Sequence, residues 1–141
     1  MNWVSGRDDC GGVLSPDENG LRQLYNIKDG NVTVWQKLEA DLPTDVLVGR
    51  FVFDTTAFDL AIEWLDQHLQ DRETKYLLLD EVGPLELSGG GWDAWLQNAV
   101  SKISDKTLIL VVREGLVEKV VEHYGIIDYE VVGKEFFVAA E

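Results

Sequence analysis

The chain has a single cysteine, Cys10, among 141 residues. No disulfide framework and no thiolate-rich metal site can be built from it, a pattern suited to a reducing compartment. Positive charge is also scarce: 12 Lys and Arg stand against 26 Asp and Glu, for a net charge of −14. A duplex nucleic-acid binder gains affinity by neutralising phosphates with Lys and Arg, so the balance argues against that class, and anionic membrane surfaces are disfavoured for the same reason. No apolar stretch approaches the ~18 residues that cross a bilayer, and residues 1–9 lack the apolar core of a signal peptide. A cytoplasmic soluble protein is expected. The two histidines, His68 and His123, lie far apart and form no zinc-ligand spacing with the acids. Most telling, no Gly-x-x-x-x-Gly-Lys-Ser/Thr loop, the backbone cradle for nucleotide phosphates, occurs anywhere.

What is present is enough apolar material for one core: 45% of residues are hydrophobic and five are tryptophan, which predicts a single domain over residues 1–141. The acidic balance does not exclude a nucleotide ligand, because a bound divalent metal and a few aimed donors set the local field.

The first third reads as strands and turns. Val13-Leu14, Leu21 to Ile27, Val32 to Trp35 and Val48 to Phe53 are separated by Asn19-Gly20, Asp29-Gly30 and the Pro43 region. Asp29-Gly30 predicts a type I′ hairpin, with positive φ at both central residues. Beyond Asp54 the period changes. Phe58, Ala61, Ile62, Leu65 and Leu69 recur at helical spacing after a capping residue among Asp54, Thr55 and Thr56, so a helix runs to about Gln70. Tyr76 to Leu79 is apolar on both faces, as in a strand covered on each side of a parallel sheet. Trp92 to Ile103 predicts a second helix, Thr107 to Val112 a second buried strand, and Leu116 to Tyr124 a third helix closed by Gly125 in a left-handed cap. Tyr129 to Val132 and Phe136 to Ala139 read as a closing hairpin or edge strands. Alternating helices and strands of this kind give an α/β fold with right-handed crossovers.

Ligands of such sheets sit beyond the carboxyl ends of the strands, where Asp80-Glu81-Val82-Gly83-Pro84 is placed. Two acids delivered there have the form of a Walker B element. Asp80 is the candidate Mg²⁺ ligand, and Glu81 the candidate carboxylate that orients or deprotonates the water attacking a γ-phosphate. On these residues alone, a strand that simply ends in solvated acids is the competing reading.

Four blocks carry a wider resemblance: Gly11-Gly12-Val13-Leu14-Ser15-Pro16; Asn19-Gly20-Leu21-Arg22 with Asn26-Ile27; Val48-Gly49-Arg50-Phe51-Val52-Phe53-Asp54; and Leu79-Asp80-Glu81-Val82-Gly83-Pro84-Leu85-Glu86-Leu87 with Gly91-Trp92. In this order, over roughly Gly11 to Arg113, they resemble the small stand-alone nucleoside-triphosphatase family of P-loop proteins. The resemblance implies a P-loop NTPase-like, mostly parallel sheet with flanking helices, hydrolysing a nucleoside triphosphate such as ATP or GTP with Mg²⁺. It implies Asp80 on the metal and Glu81 as the hydrolytic carboxylate. It also implies that the first strand and phosphate loop are lacking, because in the family they come before the segment matching Gly11-Gly12 and only ten residues precede it here. Either the reading frame starts inside a longer gene, or the loop was lost and the product binds without hydrolysing; retention of Glu81 favours the first. An interior strand removed in this way leaves the chain to re-pair, to form a homo-oligomer or to be marginally stable.

Arg113 closes the strand next in sequence to the acidic one and is a candidate to stabilise charge on the transferred phosphoryl group; a surface ion pair is its plainer role. Arg50 has a similar pair of readings. Leu87-Ser88-Gly89-Gly90-Gly91 is glycine-rich but follows the acids rather than preceding them, so it predicts a flexible loop at the mouth of the site. The segment Gly6 to Gly12 has acids at its centre and no Lys or Thr, which disqualifies it as a phosphate cradle. Cys10 reads as inert, His68 as solvent-facing, His123 as a helix C-terminal cation, and Trp64, Trp92 and Trp95 as core or rim. Two functions compete: a Mg²⁺-dependent nucleoside-triphosphatase domain impaired by the absent loop, and a non-catalytic binding or interaction domain of the same fold.

Overall fold

A computed structural model of the chain describes residues 7–18, 20–37, 46–48 and 51–133. In chain order the elements are β1 (Cys10–Leu14), β2 (Asp17–Glu18), β3 (Leu21–Asn26), β4 (Val32–Val34), β5 (Gln36–Lys37), β6 (Val46–Val48), β7 (Phe51–Phe53), α1 (Thr55–Gln70), β8 (Tyr76–Val82), α2 (Pro84–Leu87), α3 (Asp93–Lys102), β9 (Thr107–Val112) and α4 (Val117–Tyr124). The main sheet runs β2-β3-β1-β8-β9, with β4 also on β3. Its centre is parallel: Cys10 lies opposite Tyr76 and Val13 opposite Leu79, while Tyr76 in turn lies opposite Thr107. Hairpins extend it antiparallel through β3. This is the α/β sheet with flanking helices that the alternating pattern predicts, and it follows from chemistry. Leu77, Leu78 and Leu79 are buried on both sides of the sheet, which only a doubly covered parallel strand allows.

β1 and β8 approach so closely that a Cβ on Gly12 would stand 1.8 Å from the Leu78 carbonyl oxygen, and Gly12 has φ +116°. Only glycine fits there. β1 is hydrogen-bonded directly to β8, and β9 ends the sheet among the described residues.

α1 starts where Asp54 accepts the N–H groups of Thr56 (2.8 Å) and Ala57 (3.1 Å), an N-cap that satisfies two of the orphan donors of the first turn. Its buried face is Ala57, Ala61, Trp64, Leu65 and His68, and it packs over β1 and β3. α2, α3 and α4 pack on one another, and α4 closes at Gly125 with φ 63°, the expected left-handed cap. Val13, Leu24, Trp35, Trp64, Leu79, Trp92, Leu96 and Val120 belong to one core. The tryptophans at 64, 92 and 95 are buried, as expected.

Four expectations are corrected. The β3–β4 connection is not a two-residue type I′ turn: Asn26 bonds Asn31 across residues 27–30, and among the described residues Asp29 has no positive φ while Gly30 has φ +77°. The Asn26 side chain dictates this, its Oδ1 accepting Lys28 N–H at 2.9 Å in an Asx turn that competes with the tighter hairpin. Val48 to Phe53 is not one strand: β6 and β7 pair antiparallel, Val48 opposite Phe51, and with β5 form a separate three-stranded sheet. Gly49 and Arg50, between them, lie outside the described residues. Tyr129 to Val132 forms no strand and is exposed, with no partner in the main sheet among the described residues; Phe136 to Ala139 lies outside the described residues. His68 does not face solvent, being 6% exposed, with Nδ1 accepting the Gly12 N–H at 2.8 Å.

Candidate functional site

β8 carries its apolar run through Leu79 and continues into Asp80, Glu81 and Val82. Leu79 lies opposite Leu110 and Val82 opposite Val112, so β8 has one more residue than β9 over that interval: a β-bulge. Glu81 sits in it with φ 64°, the one non-glycine with positive φ among the described residues. Such a conformation costs of order 1–3 kcal/mol and persists only where its surroundings hold it.

The bulge has a geometric consequence. Neighbouring side chains on a regular strand point to opposite faces, yet here Asp80 bonds Ser15, just past β1, and Glu81 is linked to the same residue through Arg22. Asp80 Oδ2 accepts the Ser15 N–H at 3.1 Å. Glu81 Oε1 pairs with Arg22 Nη1, and that same nitrogen donates to the Ser15 carbonyl at 3.0 Å. Ser15 is 2% exposed, and its hydroxyl has no hydrogen-bond partner among the described residues. Burial pushes the Glu81 carboxyl above the ordinary range, with the Asp80 charge in the same sense, against the opposing pull of Arg22.

Glu86, two residues beyond Pro84, is 3% exposed. Its carboxylate accepts the Gly83 N–H at 2.8 Å and the Trp92 N–H at 3.1 Å. Burial raises its pKa, and the two N–H donors oppose that rise. The segment Ser88 to Gly91 is therefore not a loose loop. Gly89 and Gly90 donate to Glu86 and Leu85 carbonyls at 3.1 and 2.9 Å, and a Cβ on Gly91 would stand 2.0 Å from Glu86 Oε2. Glu86 clamps the turn shut just behind the acids.

Arg113 follows β9, and its N–H donates to the Val82 carbonyl at 3.1 Å. Its backbone is thus one strand from the acids, but among the described residues its side chain touches neither Asp80 nor Glu81. The cation in contact with Glu81 is Arg22, which sequence reasoning left without a role. Neither Arg22 nor Ser15 is next to the acids in sequence. The signal available was that both lie in the quoted blocks; the β1–β3 and β1–β8 pairings that bring them together are tertiary.

A magnesium ion asks for one or two carboxylates with the rest of its shell from water and phosphate, and Asp80 beside a buried serine hydroxyl suits that demand. A cage of three or more protein ligands is absent among the described residues, so tight binding of a bare ion is not built in. Two concave features lie elsewhere. An aromatic cavity of about 60 Å³ is lined by Trp35, Phe53, Phe58 and Leu85 with Asp54, Thr55 and Gly91, and a shallow depression borders the start of α1 at Thr33, Asp54 and Thr56. Asp80 and Glu81 line neither. Among the described residues no helix is long and apolar enough to cross a membrane.

No protein-family model and no curated protein matches the chain. Two solved structures do, by fold. The crystal structure of THEP1 from the hyperthermophile Aquifex aeolicus has a TM-score of 0.63 at 15% identity, covering 89% of this chain and 76% of that one. The solution structure of a human cancer-related nucleoside triphosphatase has a TM-score of 0.60 at 15% identity, covering 93% of this chain and 77% of that one. At such identity the likeness is one of fold: a mixed α/β architecture with a mostly parallel sheet and flanking helices.

Proposed function

We propose that this domain binds a nucleoside triphosphate with Mg²⁺ at the carboxyl end of β8 and, where a phosphate loop is supplied, hydrolyses it. The observation that carries this reading is the bulge at Glu81, which sets two consecutive carboxylates, Asp80 on the Ser15 N–H and Glu81 on Arg22, at the end of β8, where sheets of this class take ligands. The fold it shares with a nucleoside triphosphatase supports the ligand class.

Asp80, fixed through the Ser15 N–H, holds the metal. Bound Mg²⁺ supplies charge neutralisation for the phosphate oxygens. Glu81, aimed by Arg22, accepts the proton of the attacking water or orients it, and the rise of its pKa strengthens it as the accepting base. Arg113 stabilises charge on the transferred phosphoryl group from the end of β9. The absence of a Gly-x-x-x-x-Gly-Lys-Ser/Thr sequence leaves the phosphates without their usual backbone donors, so turnover by this chain alone is impaired.

Calorimetric titration of ATP and GTP, with Mg²⁺ and with EDTA, tests this together with phosphate release. Binding that needs Mg²⁺, falls at least tenfold in Asp80→Asn and survives in Glu81→Gln is expected. No heat at millimolar nucleotide would sink the reading. A second reading, binding without hydrolysis, is favoured by the engagement of Glu81 with Arg22; Mg²⁺-dependent binding with no phosphate release, even with the loop segment restored by fusion, would select it.

A further inference from the structure

Arg22 is held at its root and free at its tip. Its N–H donates to Gln36 Oε1 at 3.2 Å, its carbonyl accepts the Trp35 N–H at 3.0 Å, and it stands opposite Asp17 in the β2–β3 pair. At the other end one guanidinium nitrogen, Nη1, makes both contacts, to Glu81 and to the Ser15 carbonyl. Among the described residues the remaining N–H groups of the fork have no acceptor, and the side chain is 37% exposed. A guanidinium offering an open, planar edge beside two carboxylates is matched to a pair of oxyanion oxygens, as a phosphate group presents them. Two carboxylates repel such an anion, so a docking polyphosphate needs a cation here.

We propose that Arg22 receives the polyphosphate: Nη1 stays on Glu81 and Ser15 while the open edge of its guanidinium binds oxygens of the terminal phosphate. This deepens the nucleotide reading above and rests on it. It also assigns Arg22 a double task, because the residue that binds the phosphate is the one that positions the carboxylate, setting the distance between water-orienting group and phosphorus. Arg113, without contact to the acids, has no such link.

Inorganic tripolyphosphate with Mg²⁺, titrated into the full chain, tests the proposal by calorimetry and by the Nε–Hε resonances of ¹⁵N-labelled arginine side chains, that of Arg22 being the one lost in Arg22→Lys. Arg22→Gln is expected to weaken binding at least tenfold and Arg22→Lys to weaken it less, while in the wild type the Arg22 resonance shifts with saturation. A merely structural Arg22 gives a lower melting temperature with unchanged affinity in the variants, or a stationary resonance while ligand binds. Either result overturns this proposal and leaves the nucleotide reading intact. Should Arg22→Gln not fold, the wild-type resonance decides alone. Absence of binding by the wild type at millimolar tripolyphosphate and millimolar Mg-ATP would end both.

Discussion

His68, on the buried face of α1, accepts the backbone N–H of Gly12 through Nδ1 at 2.8 Å, fastening the helix to the strand that carries Ser15 to the acids. Nδ1 must be unprotonated to accept, so the proton resides on Nε2. Burial lowers the His68 pKa, and the Lys28 charge adds to it. The native state thus resists protonation that the unfolded chain accepts near pH 6.5. Stability is expected to be full above that pH and to decline as pH falls from about 6.5 through the depressed native value. Urea denaturation at stepped pH checks this: His68→Leu should abolish that part of the slope, and cost about 1–3 kcal/mol at neutral pH by orphaning the Gly12 N–H.

Gly12→Ala forces a Cβ against the Leu78 carbonyl at a φ that L-residues avoid. A loss of about 3 kcal/mol or more is expected, enough to unfold a marginal domain. Circular dichroism of the purified variant, against Gly20→Ala as a glycine with open space around it, reads the difference.

Glu86 serves two buried N–H groups. Glu86→Ala leaves both without an acceptor, at a cost of about 2–4 kcal/mol, and Glu86→Gln, which keeps one carbonyl oxygen, loses roughly half of that. Thermal melts would rank the two; equal melting temperatures for wild type and Glu86→Ala would contradict the clamp.

Asp71 accepts the Glu73 N–H at 3.0 Å and pairs with Lys28 at 3.0 Å. The backbone bond first, then Lys28, lower its pKa from 3.8 to about 2. A depressed acid contributes stability above its unfolded value and loses it as pH falls toward the native one, here between about pH 4 and pH 2. Asp71→Asn should flatten the acid limb of the stability profile in that window, and carboxyl NMR of Asp71 should place its midpoint near the lower end.

The left-handed backbone at Glu81 makes its own test. Glu81→Asn and Glu81→Gly should stay within about 1 kcal/mol of the wild type, whereas Glu81→Val should lose about 2 kcal/mol, because a β-branched side chain is poorly accommodated at positive φ. At a regular strand position the order would reverse, with valine the most stable.

Much of the architecture was legible in the residues because its signals are local. Thr107–Val112 was bounded correctly by its own apolar run, α4 by its period and Gly125, and α1 by the capping residues at 54–56 and the stripe from Phe58 to Leu69. Asp80 and Glu81 were legible for the same reason, as acids terminating a buried strand. The errors fell where a distant group overrules the local preference. The Asn26 side chain rewrites the Asp29-Gly30 turn, and the Gly12 N–H recruits a histidine that periodicity alone places beside a polar neighbour.

Composition and periodicity were sufficient to establish an acidic, one-core α/β chain with two carboxylates at a strand end, since apolar spacing and capping act within a few residues. The bulge that aims Glu81, the Arg22 that grips it, and the Ser15 backbone held by both Asp80 and Arg22 arose only once β1, β3 and β8 were side by side. Strand register joins residues 65 apart at Ser15 and Asp80, and a pairing over that separation is chosen by the packing of the whole sheet rather than by any stretch of chain within it.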